Sequence, residues 1–105
     1  MEIKAFSEYT GVSKDTLRYY ERIGLLPPVP RRRGRRDYGE CHERRVAAIQ
    51  RLKRSGMTLA EIAEYFQAER ESPRRQALLI SARNRLVRHM FELRQSLSEI
   101  DTLLA

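Results

Sequence analysis

Cysteine, tryptophan and long apolar runs are nearly missing from this chain of 105 residues. It holds one Cys and no Trp, and a single Cys can neither close a disulfide within the chain nor build a tetrahedral zinc site alone. Apolar runs such as residues 77–80 fall far short of the ~20 residues that span a bilayer. The N-terminus also lacks an apolar signal core. We therefore expect no secreted, disulfide-stabilised or membrane-spanning protein, and a reducing, cytoplasmic location.

Acidic residues are too few in the first half of the chain to balance the basic ones. The net charge is +7, and the whole excess lies in residues 1–56, because residues 57–105 are neutral overall. Arg outnumbers Lys by 18 to 3, and five of the six residues from 31 to 36 are Arg. The guanidinium fork suits phosphate and guanine. Charge alone leaves two interpretations open: a surface for nucleic acid or acidic lipid, or a solvated composition without a partner.

The chain opens with two predicted helices on either side of a tight turn. An apolar side over residues 2–9 predicts the first helix, and Gly11 then breaks the pattern. Ser13 is a good cap for a second helix that runs to Ile23. A helix, a short glycine turn and a second helix form the outline of a helix-turn-helix, although ordinary helical hairpins share this outline.

An arginine-rich hairpin is predicted next. Residues 25–30 contain three prolines, which exclude a helix or a central strand. Gly34 is a natural turn centre within residues 31–38, so we expect a short two-stranded hairpin with arginines on both legs. Like charges facing each other repel, and a phosphate backbone would turn that repulsion into attraction. The pattern predicts a wing that touches DNA.

Three more helices follow the hairpin. Apolar spacing predicts the third over about residues 40–55, and a capping box from Thr58 to Glu61 opens the fourth over 58–67. Ser72, followed by proline, caps a last, long helix.

The last helix carries a heptad pattern. Its apolar positions are Leu79, Leu86, Met90, Leu93, Leu97, Ile100 and Leu104. Such a repeat is typical of paired helices, and Arg83 occupies one position of the same seam. A helix of about 30 residues is about 45 Å long, so part of it must project from so small a domain. We predict self-association through the seam, the alternative being packing on the chain's own domain. The pattern leaves parallel and antiparallel pairing open.

Several motifs together resemble the MerR family of bacterial transcription regulators. They are Gly11-Val12-Ser13, Thr16 to Leu26, Arg36-Asp37-Tyr38, Leu52 to Gly56, and Thr58 to Ile62. They cover the first two thirds of the chain in register, and the heptad helix resembles the family's dimerisation helix. The resemblance implies a mainly α fold: a winged helix-turn-helix DNA-binding domain with a small β-hairpin wing over residues 1–70, and a coiled-coil dimerisation helix, antiparallel, over 72–105.

The same resemblance implies a function. Family members bind, as homodimers, a pseudo-palindromic operator between the promoter hexamers, and they bend and untwist the spacer so that RNA polymerase engages. This is indirect readout of DNA. The expected partners are double-stranded DNA, a second copy and RNA polymerase, with no membrane, no cofactor and no enzymatic activity. The target promoter, the signal and the sign of regulation stay open.

Residue roles follow from position and chemistry. On the second helix we expect Leu17 and Tyr20 to face the core, with outward DNA contacts from Ser13, Lys14, Thr16, Arg18 and Tyr19. In the wing we expect contacts from Arg33, Arg35, Arg36 and Tyr38. For Tyr19 the alternative is surface packing. Arg54 ends the third helix, where it serves the helix dipole, the DNA backbone or both.

No effector site of the kinds that the family uses is evident, since paired or clustered cysteines are missing. No metal site is expected, because Cys41, His42 and His89 do not complete a coordination sphere. Cys41 follows five arginines and begins a helix, a setting that raises thiol reactivity, so a redox or electrophile sensor is one hypothesis. In relatives that sense through a single cysteine, that cysteine lies later in the third helix, at a position near Arg51 of this chain. The different position of Cys41 favours an ordinary surface cysteine.

Three other interpretations compete with a regulator. An architectural or excisionase-like protein would use the same winged helix to bend DNA during recombination. An interaction protein would pair its long helix with a longer relative and inactivate it. An enzyme is the weakest interpretation, because the chain shows no Ser/His/Asp set and no phosphate-binding glycine loop.

Overall fold

The computed structural model describes residues 1–105 and contains five helices and one β-hairpin. The elements are α1 (Ile3–Thr10), α2 (Lys14–Arg22), β1 (Arg31–Arg32), β2 (Arg35–Arg36), α3 (Glu40–Arg54), α4 (Leu59–Gln67) and α5 (Pro73–Leu104). Helices account for 70% of the chain. The mainly α fold, with a helix-turn-helix, a two-stranded wing and a long last helix, is confirmed, and the helix bounds lie within a residue or two of those predicted.

Side-chain caps define where three of the helices begin. The Ser13 hydroxyl accepts the Thr16 N–H at 3.1 Å, and the Ser72 hydroxyl accepts the Arg75 N–H at 3.2 Å. At α4 the capping box is complete, because the Thr58 N–H also donates to Glu61 at 3.0 Å. Each cap satisfies amides that the helix itself leaves unpaired.

One hydrophobic core joins α1 to α4 and the first turns of α5. Its most buried members, each at most 1% exposed, are Phe6, Leu17, Leu25, Val46, Ile49 and Ile62. The predicted inward placement of Leu17 and Tyr20 on α2 is confirmed. Ala82 is the last buried residue, so α5 leaves the core about ten residues after it begins.

Beyond Ala82, α5 is a bare projecting helix. Its 32 residues correspond to about 48 Å of helix, and the molecule is accordingly elongated, with extents of 65 × 35 × 18 Å. Every side chain from 83 to 105 is exposed, including the apolar seam from Leu86 to Leu104. None of the five helices combines the length and the apolarity needed to cross a membrane.

Candidate nucleic-acid interface

The turn between α1 and α2 determines how α2 is presented. Gly11 adopts a left-handed φ of 75° and its N–H donates to the Ser7 carbonyl, which ends α1. The Ser7 hydroxyl donates to the Val12 carbonyl at 2.6 Å, so the turn is closed on both sides. Because Leu17 is fully buried, the opposite side of α2 faces solvent along its whole length.

The exposed side of α2 carries the residues expected at a DNA groove. Lys14, Arg18 and Tyr19 are exposed. Thr16 is half-buried, and its hydroxyl accepts a hydrogen bond from Ser13 at 2.9 Å. Arg18 pairs with Asp15 at 3.2 Å, in an exposed geometry. Exposed pairs of this kind contribute about 0–1 kcal/mol, so Arg18 can exchange this partner for a phosphate or a base at little cost.

The wing (residues 31–36) is a tight hairpin made largely of arginine. Arg31 pairs with Arg36 and Arg32 with Arg35, so four like charges face one another across two short strands. Arg33 and Gly34 both have positive φ, 52° and 75°. Two such residues form the turn whose twist matches that of a hairpin. Beside the wing, an open hollow of about 600 Å³ is lined mainly by arginines.

Carboxylates anchor one strand of the wing, β2, and leave β1 and the turn free. Arg36 Nε donates to Glu21 Oε2 at 2.6 Å, which ties the wing to α2 and leaves Arg36 only a quarter exposed. Arg35 pairs more loosely with Glu2 at 3.3 Å. No carboxylate lies within 4.0 Å of Arg31, Arg32 or Arg33, as the exposed positions of these side chains would suggest. The α2 surface and the wing therefore form one basic face.

Tyr38 is buried in the structure, which corrects the sequence interpretation that placed it among the outward wing contacts. Its ring is 2% exposed and stacks on Phe6 of α1, with centroids 4.4 Å apart. Burial raises the pKa of Tyr38, and Glu21 raises it further, while Arg36 and Arg18 oppose the shift. Tyr38 is a core residue because the wing must fold back onto α1, and its hydroxyl lies beneath the charges of α2 and the wing.

His42 has a positioning role that the sequence did not reveal. It is 2% exposed, and its Nδ1 accepts the Gly39 N–H at 2.9 Å. Because Nδ1 accepts, Nε2 carries the proton and donates to the Pro28 carbonyl at 3.2 Å. One neutral ring thus joins the start of α3 to the proline-rich segment that precedes the wing. A His three residues after a glycine that begins a predicted helix is the sequence signal that could have indicated this role.

Cys41 and Arg54 lie where the sequence placed them. Cys41 is exposed in the first turn of α3, with its Sγ 3.6 Å from Nδ1 of His42. The sensor hypothesis stays a prediction. No group of three or more His, Cys, Asp or Glu side chains in the chain is arranged to hold a metal ion. Arg54 is the exposed last residue of α3.

Two protein-family models match this chain. The family model described as "MerR HTH family regulatory protein" matches residues 1–69, and the model described as "MerR, DNA binding" matches residues 43–105. The chain belongs to the MerR family. The family resemblance seen in the helix-turn-helix and wing motifs is confirmed.

Individual MerR relatives agree with this assignment. The HTH-type transcriptional regulator AdhR of Bacillus subtilis (strain 168) is 34% identical over 83% of this chain and 66% of its own length. A putative MerR family transcriptional regulator from Listeria monocytogenes has a TM-score of 0.81 at 32% identity, over 99% of this chain and 83% of that one. The structure described as HiNmlR, a MerR family regulator lacking the sensor domain, bound to promoter DNA, has a TM-score of 0.78 at 28% identity. The match covers 99% of this chain and 86% of that one. The chain spans about half to two thirds of the length of most of the curated relatives it matches.

Proposed function

We propose that this chain is a sequence-specific DNA-binding transcriptional regulator that acts as a homodimer on a pseudo-palindromic promoter operator. The observation that carries the proposal is the joining of α2 and the arginine wing into one basic face through Arg36 and Glu21. Major-groove side chains and a backbone-contacting wing need a fixed relative position to read a site. The DNA-bound state of HiNmlR, a relative with this fold, supports the same use of the face.

The surface of α5 supports dimerisation. The heptad residues from Leu79 to Leu104 are 41–80% exposed, and a row of apolar side chains on a projecting helix is stabilised by a partner helix. Two copies would cover each other's seam. Arg83, which lies on this seam, would tune register at some cost in stability.

The distribution of charge along α5 favours antiparallel pairing. The first half of the helix carries only basic charges: Arg74, Arg75, Arg83, Arg85 and Arg88. The second half carries Glu92, Glu99 and Asp101 against Arg94. This order reinforces the helix macrodipole instead of opposing it. Antiparallel pairing would set the basic half of each helix beside the acidic half of the other and oppose the two dipoles.

The mechanism that we propose is deformation of the DNA between two half-sites. An antiparallel pair of α5 helices holds two basic faces at a fixed separation. DNA that must bend and untwist to meet both faces is selected by its deformability as well as by its base edges. In a promoter, the untwisted spacer would bring both hexamers within reach of RNA polymerase.

A salt titration of DNA binding tests this function. The probe is a duplex selected by the wild-type chain from a random library, with scrambled duplex as competitor. Light scattering in the same buffers should report a dimer. We expect preference for the selected duplex by about 10³ or more. Arg35→Ala should weaken binding to both duplexes and lower the salt slope by about 0.9 for each phosphate that the variant no longer neutralises.

A matched variant controls for the loss of net charge. Arg88 is exposed on α5 and lies opposite the seam in the heptad, so Arg88→Ala removes one positive charge away from the proposed interface. It should leave the salt slope unchanged. Binding that collapses with salt and ignores sequence would contradict a regulator and favour an architectural protein. A monomer that dimerises only with a longer relative would favour the interaction protein.

A further inference from the structure

Two arginines at the base of α5 form no salt bridge, although they lie close together. Arg45 on α3 and Arg75 in the first turn of α5 are both half-buried, and no carboxylate lies within 4.0 Å of either one. Burial lowers the pKa of Arg45, and the charge of Arg75 lowers it further. Bringing two cations together out of water is unfavourable, so other contacts must hold them there.

Arg45 joins α4 to the end of α2, the recognition helix of the proposed DNA interface. Its guanidinium lies over the ring of Phe66, 4.0 Å from the centroid, and its Nη1 donates to the Leu25 carbonyl at 2.8 Å. The Leu25 N–H in turn donates to the carbonyl of Tyr20 on α2 at 2.9 Å. A displacement of Arg45 is therefore transmitted to the C-terminal end of α2.

Arg75 continues this connection into α5. Its Nε donates to the Tyr65 carbonyl at 2.8 Å, and its guanidinium lies 4.5 Å from the centroid of the Tyr65 ring. The rings of Tyr65 and Phe66 meet edge to face, with centroids 5.2 Å apart and an angle of 79°. Cations and aromatic rings thus form one row from α5 to α2, which we name the arginine–aromatic row (Arg75, Tyr65, Phe66, Arg45 and the Leu25 carbonyl).

The other contacts between α5 and the core constrain its direction less. Arg74–Glu64 and Arg85–Glu61 are hydrogen-bonded ion pairs at 3.0 Å that join α5 to α4, and partly exposed pairs of this kind contribute about 0–1 kcal/mol each. Leu78 and Ala82 pack on the core as well, and apolar packing of this kind is non-directional. Hydrogen bonds to carbonyls and guanidinium-over-ring contacts depend on orientation. Among these polar contacts, the row is the one that continues from α5 to the C-terminal end of α2, so we expect it to resist rotation of α5 against α2.

We propose that the arginine–aromatic row fixes the angle between the dimerisation helix and the recognition helix, and thereby determines which half-site spacing the dimer accepts. This inference rests on the proposed function, because the spacing of the two recognition helices matters only in a DNA-binding dimer. Half-sites contacted from one side of DNA lie about one helical turn apart or at multiples of it. A small rotation at the base of each long helix moves the two basic faces apart and changes the spacing that fits.

The test removes each guanidinium while keeping an unbranched side chain. Arg45→Met and Arg75→Met act at opposite ends of the row, so one remains informative if the other fails to fold. Arg44→Met is the matched control, since Arg44 adjoins Arg45 but is 75% exposed and pairs only with Glu40. Each protein is titrated with the selected duplex, with duplexes lengthened or shortened by one or two base pairs at the centre, and with a single half-site.

We expect the wild type and Arg44→Met to discriminate sharply against altered spacing. In Arg45→Met and Arg75→Met that discrimination should fall by about tenfold, while affinity for the single half-site stays unchanged. Wild-type discrimination in both folded variants would overturn the inference. So would a parallel loss on the half-site and the full duplex, because it would mean that the row only stabilises α2.

A measurement without DNA separates this inference from the proposed function. Glu8 is exposed on α1, so a spin label at Glu8→Cys, in a Cys41→Ser background, reports the distance between the two DNA-binding units of a dimer. The distribution should be narrow in the wild type and in Arg44→Met, and broad in Arg45→Met and Arg75→Met. Equal widths in all four would overturn the inference. Broadening without any sequence-specific DNA binding would instead overturn the proposed function alone.

Discussion

The hydroxyl of Tyr38 is buried without a hydrogen-bond partner, so replacing Tyr38 by Phe should stabilise the fold. A polar group buried in this way costs about 1–3 kcal/mol. We expect Tyr38→Phe to raise the free energy of unfolding by about 1 kcal/mol, at the low end of the range for such a group. The stacking on Phe6 at 4.4 Å is retained.

Chemical denaturation followed by circular dichroism measures this change. About 1 kcal/mol corresponds to a rise of roughly 4–8 °C in Tm for a domain of this size. Protein concentration must be equal throughout, because a dimer's stability depends on it. Tyr9→Phe is the control, since Tyr9 is 62% exposed and its replacement should change little. A loss of stability in Tyr38→Phe would refute the burial argument.

Alkaline pH gives the same residue a second test. Burial raises the pKa of Tyr38 above its ordinary value of 10.0, so the unfolded chain loses this proton before the folded chain does. The free energy of unfolding should therefore decrease as the pH rises above 10.0, and Tyr38→Phe should weaken that decrease. DNA affinity at neutral pH should not change. A loss of affinity would mean that the hydroxyl reaches the DNA after all.

Three further changes test single elements of the fold. Gly34→Ala should cost about 1 kcal/mol, measured by thermal melting, because φ is 75° while an added Cβ meets nothing within 4 Å. Glu71→Gly should stabilise by about 1 kcal/mol in urea, because Glu71 holds a φ of 58° just before α5. The pKa of Glu61 is lowered first by the Thr58 N–H and then by Arg85. Stability should therefore fall as the pH drops below 4.5, and Glu61→Gln, melted over the same pH series, should lose much of that dependence.

Features whose partners are close in sequence could be predicted without a structure. The caps at Ser13, Thr58 and Ser72 each join groups three residues apart, so their residue types alone indicate them. The wing was also predictable, because the prolines that precede it exclude a helix or a central strand in that segment, and Gly34 allows the turn. These local signals, together with the spacing of apolar residues, were enough to predict the order of the helices and the hairpin along the chain.

Contacts between distant segments could not be predicted in this way. Tyr38 follows the arginines of the wing, and nothing local indicates that its ring packs on Phe6 of α1. His42 was considered only as a metal ligand, whereas its two nitrogens satisfy Gly39 and Pro28. In both cases a polar side chain near a basic segment is used for packing, because the wing has to be attached to the rest of the domain.

The basic charge of the chain is divided in the same way between binding and internal positioning. Arg36 is held by Glu21, and Arg45 is held by a carbonyl and an aromatic face, so neither is as available to phosphate as Arg31, Arg32 and Arg33. Net charge therefore overstates the number of counterions that DNA binding releases. Since each phosphate contact contributes about 0.9 to the salt slope, the slope should follow the arginines of the basic face that are unpaired or, like Arg35, only loosely paired. The arginines inside the domain act instead on the geometry with which that face is presented.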